Sequence, residues 1–276
     1  MKKVTKICII TAILAAIAGI ISLFAGMAMG AKPEQFLQIQ IGSGGIRVGQ
    51  SPGIQFGTDG EKAAGEGRKE SLSAGQISRL EMSIASGVVE IYLTEDEEEI
   101  TCYSNRNRDI CKVKDNTLMI KEESRLGIGE DLKLELYLPR KMWKEIDLEL
   151  GAGSAAIEKL QAEEIAIELG AGEMEIGSLH FTDSADLQVG AGELNVGLCD
   201  GKELSLECGI GSMTVILAGR ETDYNYRLEC GIGTISLQGQ AFSGMGRESS
   251  VNNQAVKQVQ AECGMGEIVI DFADGE

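Results

Sequence analysis

Six times between residues 148 and 266 the chain returns to Gly-x-Gly behind an alternating apolar run. The segments are LELGAG at 148, IELGAG at 167, LQVGAG at 187, LECGIG at 206, LECGIG at 228 and AECGMG at 261. The paired glycines are Gly151 and Gly153, Gly170 and Gly172, Gly190 and Gly192, Gly209 and Gly211, Gly231 and Gly233, and Gly264 and Gly266. Their second members are 19, 20, 19, 22 and 33 residues apart, the last step stretched by the insertion QAFSGMGRESSVNNQA. A recurring period of this order marks stacked repeats, in which no single unit buries its own apolar face and neighbours must cover it.

The columns of the repeat fix the local conformation. One residue before the first glycine stand Leu150, Leu169, Val189, Cys208, Cys230 and Cys263; two residues further back stand Leu148, Ile167, Leu187, Leu206, Leu228 and Ala261. After the second glycine, at the second and fourth places, come pairs such as Ala155 and Ile157, Met174 and Ile176, and Leu194 and Val196. Apolar residues at every second place denote strands with one buried face. The phase slips by one residue across the glycines, which would turn the strand inside out unless the chain bends there. Glycine allows such a corner, because it reaches positive φ and puts no side chain against the neighbouring turn. The expected fold is therefore all-β, a single-chain β-solenoid of coils about 19–22 residues long with Gly-x-Gly corners. RLEMSIASGVVEIYL at 79–93 fits the template with Gly87 as its second glycine and reads as the first coil. The intervening EITCYSNRNRDICKVKDNTLMIKEES and DLKLELYLPR are strand-like but off template, either irregular coils or a small capping sheet.

Before the repeats, three lysines precede Ile7 to Gly30, a run of 24 residues without charge. About 20 apolar residues span a bilayer as a helix, longer than a usual secretory h-region. Residues 1–30 are thus expected to be a short cytoplasmic stub and one transmembrane helix, with the remainder outside the cell membrane. Cleavage after Ala28-Met29-Gly30 is the alternative and would release a secreted protein. Residues 31–76 are rich in glycine and read as a flexible linker, in which FLQIQIG and GIRVG are candidates to pair as strands. Residues 77–276 are the solenoid.

An N-terminal anchor, a glycine-rich spacer, DLKLELYLPR and the recurring LELGAG…I, IELGAG…I and LECGIG…V units resemble the bacterial putative adhesin family, over about residues 77–276. The resemblance implies a β-solenoid in the bacterial envelope, similar to auto-transporter adhesin heads, with no established enzymatic activity and no catalytic residues to carry over. The chain departs from that pattern in its three late cysteines and in the insertion before the last coil.

Charge narrows the partners. Of 43 acidic and 25 basic residues, 24 acids and 6 bases fall after residue 144, so the net charge of −18 belongs to the repeat half. Such a surface repels nucleic acid and attracts cations and basic groups. The place two before the first glycine is Glu149, Glu168, Gln188, Glu207, Glu229 and Glu262, with Glu173, Glu175 and Glu193 past the corner. Stacking at about 4.8 Å would make this outward column a carboxylate strip. It reads either as a site for a divalent cation, a basic polymer or peptide or a cell-wall ligand, or as a solvated face that discourages aggregation. TEDEEEIT at 94–101 reads as an exposed turn.

Seven cysteines in an exported chain raise the question of disulfides. Cys208, Cys230 and Cys263 either pack as small apolar groups or include a Cys208–Cys230 bridge, and Cys102 and Cys111 could face each other across a hairpin. With one histidine, His180, and no Cys-x-x-Cys, no metal-ligand or cofactor motif is present in the sequence. The expectation is a non-enzymatic, membrane-tethered binding, adhesion or structural module with no cofactor. The alternatives are an envelope sensor or regulatory partner of another membrane protein, and a polysaccharide-active enzyme on a β-helix.

Overall fold

The computed structural model describes residues 39–42, 45–48, 68–106, 110–122, 132–243 and 246–273. The transmembrane segment expected over 1–30 lies outside them, and among the described residues no helix is long and apolar enough to cross a membrane. The chain divides into two units, residues 1–64 and 65–276. In the first, β1 (Ile39–Gly42) and β2 (Gly45–Val48) pair antiparallel, Ile39 opposite Val48, as FLQIQIG and GIRVG suggest.

The second unit is all-β, and its one helical turn among the described residues is the 3-10 turn Glu221–Asp223. It begins with β3 (Arg68–Ser73), a strand inside the stretch expected to be linker, followed by β4 (Arg79–Thr94), β5 (Glu99–Ser104), β6 (Cys111–Lys114), β7 (Thr117–Glu122) and β8 (Leu132–Pro139). Next comes β9 (Trp143–Asp200), 58 residues of unbroken extended chain. Straight, it would run about 190 Å; instead it folds back on itself at its glycines. A Cβ on Gly170 would strike the carbonyl of Gly151, one on Gly172 that of Gly153, and one on Gly192 that of Gly172. Close approach of backbone from one turn to the next therefore excludes any side chain at these corners. Gly153 and Gly172 additionally sit at φ +127° and +120°, where a Cβ is strained whatever the space.

β10 (Glu203–Cys208) and β11 (Ser212–Ala218) continue the array, parallel and in register with β9: Leu206 lies opposite Leu187, Cys208 opposite Val189, Met213 opposite Leu194. On β4, Leu80, Met82 and Ile84 lie opposite Ile146, Leu148 and Leu150 in the same way. The inward columns read from the sequence are buried along this stretch, Leu148, Leu169, Leu187, Leu206, Met213 and Ile235 among them. Each fully buried aliphatic side chain contributes roughly 1.5–3 kcal/mol.

Two buried columns go beyond that reading. Leu160, Leu179 and Cys199 follow the second glycine by seven residues, and Ala162 and Phe181 by nine; all five are buried. They form a third apolar stretch, one residue out of phase with the second. Where the phase changes, a Cβ on Gly177 would lie 2.6 Å from the carbonyl oxygen of Glu158, and one on Gly197 2.7 Å from that of Gly177. The ring of Phe181 occupies the space that a side chain at Gly201 would need.

The order of the last rungs departs from the order of the chain. β12 (Tyr224–Cys230), β13 (Thr234–Leu237), β14 (Gln240–Ser243), β15 (Arg247–Val251), β16 (Lys257–Cys263) and β17 (Glu267–Ala273) complete the sheet. β10 and β11 pair with β16 and β17, and these in turn pair with β12 and β13, every pairing parallel. The last rung in sequence thus lies between the two that precede it, whereas the spacing of the repeat suggests simple succession. The insertion explains the detour: it returns as β14 and β15, antiparallel on the outer edges of β13 and β12. The other end is built alike. β7 and β8 pair parallel with the two halves of β4 on the side away from β9, so β4 is not the terminal rung. β6 covers β7, and β5 followed by β3 covers β8, all antiparallel. The off-template segments are therefore both things the sequence left open, a rung and its cap. Short antiparallel strands of four to six residues thus form the outermost edges at both ends, and short edge strands are poor templates for pairing with another chain.

Candidate carboxylate ladder

The outward column two before the corner forms a continuous ladder. Glu207 stands opposite Gln188 on one side and Glu262 on the other; Glu262 faces Glu229, and Glu229 faces Glu248. The sequence suggests the order Glu207, Glu229, Glu262, and the inverted rungs correct it to Glu207, Glu262, Glu229. At the other end Glu149 stands opposite Ser83, whose hydroxyl donates to Oε2 at 2.9 Å. A second column, two residues earlier, sets Glu81 opposite Asp147 and Asp186 opposite Ser205.

The middle and the ends of this ladder differ electrically. At the N-terminal end Lys121 binds Glu81 at 2.6 Å and Arg79 binds Glu145 at 3.1 Å. At the C-terminal end Arg227 bridges Glu229 at 2.9 Å and Glu248 at 3.1 Å. Among the described residues no ion pair reaches Asp147, Glu168, Asp186 or Glu207. Their carboxyls are all held above the ordinary range. Partial burial between rungs is the main cause for each. The charges of Glu149, Asp147 and Asp186 add to it at Glu168, those of Asp186 and Glu262 at Glu207, and that of Glu81 foremost at Asp147, where the nearby Lys121 charge opposes the shift. At Asp186 a hydrogen bond from Gln188 Nε2 to Oδ2, 3.3 Å, opposes the shift, while Oδ1 is buried without a partner. Past the corner Glu173 is raised by burial and by Glu193 and Glu175. Chemically the ladder is a row of anions that favours taking up protons or other cations. Among the described residues no three carboxylates, thiols or imidazoles converge where they could hold a metal ion. A ladder sets its oxygens side by side along a line, and coordination needs them around a centre.

The remaining singled-out residues fall elsewhere. Residues 95–98 of TEDEEEIT are exposed, with Arg140 on Glu95 at 3.1 Å. His180 lies in β9, its Nδ1 3.4 Å from Asp200 Oδ2, and the other oxygen of Asp200 accepts from Lys257 Nζ at 2.7 Å. Cys208 stands opposite Cys263, and Cys263 opposite Cys230, so β16 separates the two cysteines of the suggested Cys208–Cys230 bridge. All three are buried thiols in the apolar column. The hydrogen bond from Cys208 to Cys263 pushes the donor thiol up and draws the acceptor down. Sequence reasoning missed a band of tyrosines that joins the first template segment to the off-template strands. The rings of Tyr92 and Tyr137 stack at 5.2 Å and Tyr103 meets Tyr137 edge-on at 5.8 Å. Their signal was available only through the register of β4, β8 and β5, which the off-template sequence does not give.

No family model matches this chain, and no curated protein matches it. Among solved structures, a putative cell adhesion protein from Clostridium sporogenes is similar at 16% identity and a TM-score of 0.41, covering 75% of this chain and 100% of that one. A putative adhesin from Bacteroides fragilis is similar at 14% identity and a TM-score of 0.41, covering 74% of this chain and 96% of that one.

Proposed function

We propose that the chain is a non-enzymatic binding module of the bacterial envelope. Its parallel rungs wind as a β-solenoid, residues 1–30 tether it to the membrane, and the carboxylate ladder meets a cationic partner, namely a basic polymer, a basic peptide or a cell-wall ligand with amino groups. One observation carries this reading: the middle of the two columns holds Glu168, Asp186 and Glu207 with raised carboxyl pKa and no ion pair among the described residues. Stacked anions repel, and a partner with cations at matching intervals relieves that repulsion along several rungs at once. A linear partner fits better than a single ion, because the carboxylates repeat at the sheet spacing of about 4.8 Å without closing around a point.

The test is binding of the full chain to oligolysine and to oligoglutamate by calorimetry, at low and at high salt. Binding of the cationic peptide alone, weakened by salt and abolished in a Glu168→Lys/Glu207→Lys variant, is the expected result. Undiminished binding by that variant would move the site off the ladder. A melting temperature raised by millimolar calcium over chelator would assign the ladder to divalent cations.

A further inference from the structure

Of the six buried cysteines among the described residues, five form two sets that the backbone presents differently, and Cys199 stands apart from both. Cys208, Cys263 and Cys230 lie directly opposite one another in parallel rungs. In-register neighbours are separated by the sheet spacing of about 4.7–4.9 Å, whereas a disulfide requires Cβ atoms about 3.5–4.5 Å apart. A bond within this column would pinch the ladder at its core. Cys102 and Cys111 are not ladder neighbours. Cys102 lies on β5, opposite Leu136 of β8 and Glu70 of β3; Cys111 opens β6, opposite Ile120 of β7. The two sulfurs approach from different cap strands to 2.8 Å, both shielded from water at 1% and 6% exposure. A covalent bond of about 2.05 Å needs a movement of less than about 1 Å, which two strands free of a shared ladder can make.

We propose that Cys102 and Cys111 form a disulfide that clasps the N-terminal cap, while Cys208, Cys263 and Cys230 stay thiols. The oxidant is a disulfide of the exchange-competent class, either a small-molecule disulfide or that of a thiol oxidase. The thiolate of Cys111, the more exposed of the two, attacks one sulfur of that disulfide and releases one thiolate. Cys102 then attacks the Cys111 sulfur of the mixed disulfide and releases the second. Two protein thiols are oxidised, one external disulfide is reduced to two thiols, and the two protons pass to the leaving groups. The clasp joins β5, which pairs with β3 and β8, to β6, which pairs with β7. It thereby ties together the strands that cover both halves of β4, and it constrains the unfolded chain.

The experiment incubates the full chain in a buffer of glutathione and glutathione disulfide, then alkylates free thiols in denaturant and maps peptides by mass. Expected is one linkage, Cys102 to Cys111, two hydrogens lighter than the reduced chain, with Cys199, Cys208, Cys230 and Cys263 alkylated. Oxidation raises the melting temperature of the unaltered chain and of Cys263→Ala, and leaves that of Cys111→Ala unchanged. Recovery of alkylated Cys102 and Cys111, or a linkage through Cys263, overturns the proposal. The map of the unaltered chain decides the question even if Cys111→Ala fails to fold.

Discussion

β9 and the two ends of the array solve the same problem by different means. Within β9 one device recurs: glycine corners, in-register apolar columns and an outward carboxylate, all in chain order. At the ends the chain leaves its own order, returning to place β7 and β8 outside β4, and β12 and β13 outside β16 and β17. Short antiparallel strands then form both edges, and basic residues that the middle lacks pair with the last carboxylates. Repetition can extend a ladder but cannot end one, because each repeat needs a neighbour on both sides. The ends therefore spend sequence on what does not repeat.

The sharpest way to break this contrast is to remove residues 257–276. If rungs followed the chain, the shortened protein would keep β10 to β13 intact and lose only its last turn. In the structure β12 and β13 rest on β16 and β17, so Val259, Ala261, Ile268 and Ile270 leave a gap beneath them. The expected loss exceeds about 5 kcal/mol, and amide exchange protection of residues 224–237 should collapse. Protection that survives would restore the order of the sequence.

Next in size, Gly172→Ala tests the interior corner against Gly239→Ala in the C-terminal cap. Both positions have positive φ, at +120° and +77°, but a Cβ on Gly172 meets the Gly153 carbonyl, whereas one on Gly239 meets nothing within 4 Å. Gly239→Ala should cost about 1–2 kcal/mol for the backbone alone. Gly172→Ala should cost more than about 4 kcal/mol, as a clash that the stack cannot relieve. Equal shifts in the urea midpoint would mean that conformation, and not stacking, chooses glycine there.

How much of this was legible follows from what repeats. Leu148, Leu169, Leu187 and Leu206 announced their shared face because six copies of one pattern average out local exceptions. The third apolar stretch escaped because its change of phase carries glycine only at Gly177 and Gly197, too few to form a column. The inverted order of Cys263 and Cys230 could not be read at all, since both rungs carry Glu-Cys-Gly into the corner with apolar residues at the inward places. For the carboxylates, the column was visible and its electrical difference was not. That difference depends on where Lys121, Arg79 and Arg227 arrive, and Lys121 belongs to β7, a rung that the repeat does not index. An intermediate test of the missed stretch is Gly201→Ala, which drives a methyl into the Phe181 ring and should cost about 1–3 kcal/mol by overpacking. Phe181→Leu in the same chain should recover part of that loss.

The smallest effects concern the ladder, and there the two regions should differ in sign. A carboxyl whose pKa is raised by folding binds its proton more readily folded than unfolded. Its contribution to stability therefore falls as pH rises from the ordinary carboxylate range through the raised value, and is lowest above it. Glu168 and Glu207 are such groups, raised by burial first and neighbouring carboxylates second. Glu168→Gln and Glu207→Gln should each stabilise the protein at pH 7 by about 0.2–1 kcal/mol. The gain should vanish once the pH drops below the ordinary carboxylate range, where the native groups are protonated in both states. Glu229→Gln, at the end, instead removes the Arg227 partner at 2.9 Å and should cost up to about 1 kcal/mol. High salt should shrink both effects toward zero. Chemical denaturation of the three variants at pH 7 and at about pH 2.5, below the ordinary carboxylate range, reads the signs directly. If Glu168→Gln and Glu229→Gln both destabilise, the unpaired middle is no more strained than the paired end, and relief of that strain ceases to be a reason for a cationic partner to bind there.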